Sequence, residues 1–237
     1  TACFAALSAQ AQVVTDGQWR ATGGASLALS SGNSSTTAFL LTLDGYRATT
    51  ADKITFGAMA NYARSRSSGV TNQSSEKWYG FGQYDWNLNP KLFAFGRGSL
   101  EGDGLIDLTS RATLAGGMGY RVIVTPVADF TVYGGLAYSA DKYDTLQFID
   151  NKIDSRFDRL SLYMAEESSH KLNNAVSFKQ RLDLYPGLTG DKALVAKFTA
   201  GLTVSMSSQL GLNVGLINTY NSKAPLGSKK NDACDCA

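Results

Sequence analysis

The chain has 237 residues, of which 43% are hydrophobic and 18% charged, and its formal net charge is +2. Four prolines and no long Gly/Ser tract or charge block leave nothing that reads as a linker, so one large all-β unit is expected rather than two small domains. The near-neutral balance, without a basic stripe, excludes nucleic acid as the main partner, and no run approaches the roughly eighteen apolar residues of a transmembrane helix.

Residues 1–12 are small and apolar, and Ala9-Gln10-Ala11 matches an A-x-A cleavage site. They are expected to be the remainder of a secretory signal peptide, with residues 13–237 forming the folded domain. A first strand is predicted from Gln18 to Ser31, with Trp19, Ala21, Ala25, Leu27 and Leu29 on one face, turning at Gly32-Asn33. The second, Thr36 to Ala48, sets Phe39, Leu41 and Leu43 against Thr42 and Asp44. The third carries Ile54, Phe56, Ala58, Ala60 and Tyr62, and a polar loop is expected from Ser65 to Ser75. The fourth, Lys77 to Leu88, sets Trp78, Tyr84, Trp86 and Leu88 against Lys77, Gln83, Asp85 and Asn87, with Asn89-Pro90 as a tight turn.

The fifth strand, from Leu92 to Gly102, carries Arg97 and Glu101 on one parity. The sixth, Leu108 to Val124, places Leu108, Ala112, Leu114, Met118, Tyr120 and Val122 opposite Thr109, Arg111, Thr113, Gly117, Gly119 and Arg121. The seventh runs from Phe130 to Ala140, and Asp141 to Asp158 is expected to be the longest and most charged loop. An eighth strand covers Arg159 to Lys171, and a ninth sets Val176, Phe178, Leu182 and Leu184 against Ser177, Lys179, Arg181 and Asp183. From Leu194 the period of two is clearest. Leu194, Ala196, Phe198, Ala200, Leu202, Val204 and Met206 alternate with small or polar residues, and Leu210, Leu212, Val214 and Leu216 repeat the pattern after Ser207-Ser208. Such a period means extended chain with one face per parity, here an antiparallel hairpin.

Strand length decides the class. Soluble strands most often hold about five or six residues, whereas roughly nine to eleven tilted residues cross a bilayer core. A mean hydropathy of −0.14 fits a barrel that hides one residue in two from water. The connections alternate between tight turns and others that are often longer, as in outer-membrane barrels with short periplasmic turns. Eleven strands would leave the two ends on opposite sides, so a twelfth is expected from about Asp232, cut off by the end of the sequence. The fold class is therefore all-β, an antiparallel up-and-down transmembrane β-barrel of about twelve strands.

The stretch Gly96 to Arg121 (GRGSLEGDGLIDLTSRATLAGGMGYR) and the segment Tyr220 to Asp232 (YNSKAPLGSKKND) resemble the salt-induced outer-membrane protein family, a bacterial β-barrel domain of unknown function. The resemblance covers most of the chain from Trp19 onward. It implies location in the outer membrane of a Gram-negative cell and no established activity. The chain departs from the family in ending Cys-Asp-Cys-Ala, without the final strand and terminal aromatic that the family implies.

The non-apolar parity assigns Asp44, Lys77, Asp85, Arg97, Glu101, Asp103, Arg111, Arg121, Lys179, Arg181, Asp183 and Lys197 to the lumen. Both signs are present, so a salt-bridged filling is expected, with a narrow passive channel for small solutes as the alternative. Trp19, Trp86 and Tyr120 are assigned to one aromatic girdle, and Tyr62, Trp78, Tyr138 and Tyr220 to the other. Outer-membrane lipid is then the main partner.

Glu166-Glu167-Ser168-Ser169-His170 is the one place where acid, hydroxyl and imidazole crowd together. Ser168 and His170 share the parity of Leu160 and Leu162 and stand roughly 6–7 Å apart along a strand, too far for a nucleophile and its base. Gly116-Gly117-Met118-Gly119 is followed by no helix, so its glycines are read as relieving curvature or seating an aromatic ring. Cys234 and Cys236 lack the second pair or histidine of a metal site. No catalytic residue, metal or cofactor is expected. An outer-membrane hydrolase using loop or lumen carboxylates and a soluble lipocalin-like binding barrel are the alternatives. The latter requires its apolar face inside.

Overall fold

The computed structural model of the chain describes residues 13–30, 34–67, 70–149, 152–173, 175–190, 192–205, 211–223 and 231–236. Among these residues twelve strands follow one another: β1 (Trp19–Ser30), β2 (Ser34–Ala48), β3 (Asp52–Ser67), β4 (Val70–Asn87), β5 (Leu92–Asp103), β6 (Leu108–Val124), β7 (Ala128–Ile149), β8 (Lys152–Lys171), β9 (Val176–Pro186), β10 (Leu194–Ser205), β11 (Gly211–Asn221) and β12 (Asn231–Cys236). Each pairs antiparallel with its neighbours in chain order, giving a single up-and-down sheet consistent with a β-barrel. Among the described residues β12 and β1 are not paired with each other, so the sheet is a strongly curled half-barrel. The strand expected from Asp232 is present as β12. The predicted signal-peptide residues 1–12 and the turns at Gly32-Asn33 and Ser207-Ser208 lie outside the described residues.

The period of two sorts the side chains as the sequence predicts. Large apolar residues are exposed on the outer face, among them Leu114 at 67%, Leu27 at 64% and Trp86 at 59%, with Leu41, Leu43, Leu100, Met118, Leu136 and Leu162 alongside. The buried set on the inner face mixes Phe93, Phe95 and Tyr163 with Asn61, Gln83, Asp85, Asp141, Arg159 and Asp183. Leu108 and Thr109 take the opposite faces to those expected from the alternation. Leu108 is buried inside and Thr109 exposed, because a register shift between Leu108 and Ser110 inserts a residue and flips the parity below Arg111.

Two expected loops are strands. Residues 65–75 belong mostly to β3 and β4, with Arg64 opposite Gln73 and Ser67 opposite Val70. Residues 141–158 extend β7 and β8, with Asp141 opposite Phe157 and Ile149 opposite Lys152. A run of Ser, Thr, Asn and charge reports water on the side chains, whereas the backbone amides still gain from a ladder. β7 thus reaches 22 residues, on the order of 70 Å at about 3.3 Å each. Where these long hairpins rise, Leu108, Tyr143 and Ile149 form a small apolar cluster with Ile106 and Phe157 packed against it.

The opposite end carries the short turns, such as the one in which Asn89 Oδ1 accepts from the Lys91 and Leu92 amides at 2.9 and 2.7 Å. The glycine run of β6 does what its parity suggests. A side chain on Gly119 would meet the Phe93 ring, and one on Gly117 would meet the backbone carbonyl of Gly134, so these glycines allow the wall to close and seat an aromatic.

Candidate functional site

The inward face of β4 to β10 is the most densely organised region, and strand register explains most of it. Lys77 lies opposite Asp103, Glu101 opposite Arg111, Arg111 opposite Asp141, and Glu167 opposite Arg181. Alternation places each pair on one face, and opposite signs across a ladder attract.

The network nearer the long-hairpin end is centred on Arg111. Its Nε and Nη2 donate to Asp141 Oδ1 and Oδ2, both at 2.7 Å, while Nη1 donates to Glu101 Oε1 at 2.9 Å. Arg159 approaches Asp141 at 3.5 Å from the far side. A further link is not between neighbouring strands. Lys197 sits opposite Asp183 in register, yet its Nζ donates to Glu101 Oε2 at 3.0 Å. β10 and β5 stand five places apart in the sheet, so this bond crosses the interior. Lys77 and Asp103 add a bridge at 3.0 Å in the same layer.

A second layer is built on Arg181. It donates to Glu167 Oε2 at 2.6 Å, to Asp183 at 3.0 Å and to the Tyr163 hydroxyl at 2.8 Å, and lies over the Tyr133 ring at 5.0 Å. Tyr163 in turn donates to Asp183 at 2.6 Å, and Lys179 pairs with Glu167 at 3.0 Å. Around this hub the rings of Phe93, Phe95, Tyr133, Tyr163 and Tyr185 pack edge to face or tilted at 5.2–5.6 Å between centroids. Phe95 of β5 touches Tyr163 of β8, again across the interior.

Arg97 and Arg121 differ in having neutral partners. Arg97 donates to Gln83 Oε1 at 3.0 Å and to the Tyr79 hydroxyl at 2.9 Å, above the Phe81 ring. Arg121 donates to Asn87 Oδ1 at 2.8 Å and to the Pro90 carbonyl at 3.2 Å, over Phe93. Gln83 also donates to Asp85 at 2.8 Å, and Asp44 lies over Gly57. The charges assigned to the interior from sequence, Asp44, Lys77, Asp85, Arg97, Glu101, Arg111, Arg121, Lys179, Arg181, Asp183 and Lys197, thus fall on the inner face, most of them in contact.

The sequence reading does not assign Glu167, Asp141, Arg159 or the inner aromatics to the interior. Glu167 stands in the crowded Glu-Glu-Ser-Ser-His run, and Asp141 and Arg159 at the edges of an expected loop. Their signal was parity: Glu167 alternates with Ser169 opposite the Lys179 and Arg181 face. The structure divides that run between two faces, with Glu167 turned in and Glu166, Ser168 and His170 on the outer parity. Gln180 donates to Glu166 at 3.4 Å, and among the described residues Ser168 and His170 share no hydrogen bond.

Of the aromatics assigned to two rings, Trp19, Trp86 and Tyr120 are exposed outward near the short turns, and Trp78 and Tyr138 outward toward the other end. Tyr62 and Tyr220 are half-buried at that same end, with the Arg64 guanidinium 5.6 Å from the Tyr62 ring centre.

The family model described as a protein of unknown function, DUF481, matches residues 23–234. No curated protein matches the chain.

Proposed function

The chain belongs to the DUF481 family, and from that premise we propose that it is a non-enzymatic β-barrel protein of the bacterial outer membrane, a structural envelope component whose lumen is closed by its own side chains. The observation that carries this reading is the inversion of the two faces. Large apolar residues such as Leu114, Leu27 and Trp86 are the exposed ones, while most of the charged groups assigned to the interior are turned inward and bonded. In water the outer face would cost about 25 cal/mol per Å² of apolar surface, and in hydrocarbon that cost vanishes. A soluble binding barrel needs the opposite arrangement.

Spacing supports the same reading. Trp78 and Trp86 are separated by eight residues on β4, about 20 Å along the axis of a strand tilted by roughly 40°. Rings at those two heights fit the edges of an outer-membrane apolar band of about 25 Å.

A structural component is favoured over a passive channel by the Lys197–Glu101 bond and the Phe95–Tyr163 contact, which join non-adjacent strands through the middle. Planar-bilayer recording of the full chain tests this. No ohmic step is expected from the wild type. A reproducible ohmic step would overturn the closed lumen in favour of the channel.

A further inference from the structure

On the inward face, cross-strand neighbours of opposite sign recur, down to Lys53 opposite Asp85. On the outward face one pair among the described residues breaks this rule. Lys142 of β7 lies directly opposite Arg156 of β8, and both are exposed. Two cations facing each other at about 5 Å between Cβ atoms weaken a sheet pair. The acids beside them do not relieve it. Asp144 accepts from the Thr109 hydroxyl at 2.7 Å, Asp158 from the Tyr138 phenol, and Asp154 pairs with Lys152 at 2.9 Å and accepts from Arg156 only through its backbone amide. Among the described residues neither cationic side chain has a partner.

Their height is informative. Both share the outward parity of Tyr138, Leu136 and Leu160, and Lys142 stands four residues beyond Tyr138. That is about 10 Å along the barrel axis past the proposed aromatic ring, within reach of the headgroup layer for long side chains that bend back toward it. Resting on the outer-membrane reading, we infer that Lys142 and Arg156 together bind a phosphate group of a lipid headgroup in the outer leaflet. A phosphate between them turns repulsion into two attractions. The Arg156 guanidinium offers a planar fork for two phosphate oxygens, and the Lys142 ammonium a mobile point charge for the third. The site lies on the wall, at the base of the long β7–β8 hairpin, and takes no part in the interior networks.

The test uses the full chain in a non-ionic detergent, with heat-modifiable gel migration as the check that wild type and variants are folded. Bis-phosphorylated lipid A is added, and retained lipid is counted by native mass spectrometry. Retention by the wild type is expected to fall about tenfold or more in Lys142→Gln/Arg156→Gln, whose exposed positions leave folding intact, and to persist in Lys142→Arg. The same lipid stripped of its phosphates should bind no better to the wild type than to the double variant, and equimolar inorganic phosphate should not displace lipid A. Equal retention by wild type and double variant, or displacement by inorganic phosphate, overturns the headgroup site while leaving the barrel reading standing. A chain that never enters lipid vesicles overturns both.

Discussion

Replacing Arg111 with alanine is expected to destabilise the folded protein by about 3–5 kcal/mol. The guanidinium satisfies both oxygens of Asp141 and one of Glu101, and all three side chains are largely shielded. Its removal leaves two carboxylates facing each other with only Lys197 and the more distant Arg159 to offset them. Breaking such a cluster costs far more than the cluster contributes net, since the bereaved charges keep their desolvation penalty. Arg111→Lys should recover only part of the loss, because an ammonium cannot make the two parallel bonds to Asp141. Urea unfolding in lipid vesicles, followed by tryptophan emission, gives the difference directly. Alanine within about 0.5 kcal/mol of the wild type would mean that the interior network contributes no cohesion.

Charge placed on the other face should be nearly as costly, for the opposite reason. Leu114 is among the most exposed large apolar residues, near the middle of β6. In a soluble protein, Leu114→Arg would remove a surface hydrophobe and leave stability within about 0.5 kcal/mol. Facing a bilayer core, the same change is expected to cost about 2–4 kcal/mol, falling toward about 0–1 kcal/mol for an arginine near the membrane edge such as Ile123→Arg, opposite Phe130 on the outer face. The same vesicle-based unfolding reads both variants. A flat profile across the two positions would contradict burial in lipid.

What could be read from the chain alone follows from how each feature is encoded. Strand identity and facing are read from a period-two alternation that is local and needs no partner, and the structure places the charges from Asp44 to Lys197 on the inner face. Leu108 and Thr109 depart from the alternation, because a bulge costs one residue of register and leaves no mark in an alternating pattern. The ends of the long hairpins were lost for another reason. Polar composition reads as a loop, yet β3, β4, β7 and β8 carry their ladders on through it. The candidate site was half legible. Opposite charges on neighbouring strands could be paired in principle, but the Lys197–Glu101 bond joins residues whose proximity depends on how far the sheet curls. No local pattern encodes that curvature. The same holds for Phe95 against Tyr163, since an aromatic in a strand reads the same whether it faces in or out.

On the proposed reading of inward charge and outward oil the wall touches acyl chains, and the three tryptophans report on this without any label. Trp19, Trp78 and Trp86 are the only tryptophans in the sequence, and all three point outward, exposed by 59%, 42% and 59%. The full chain, folded into vesicles whose acyl chains carry bromine, should lose most of its tryptophan emission. Bromine near the headgroups should quench more strongly than bromine at the chain ends, because the rings stand at the two edges of the apolar band. Emission unchanged by brominated lipid, but quenched by a water-soluble quencher, would place those side chains in water and contradict the barrel in the membrane.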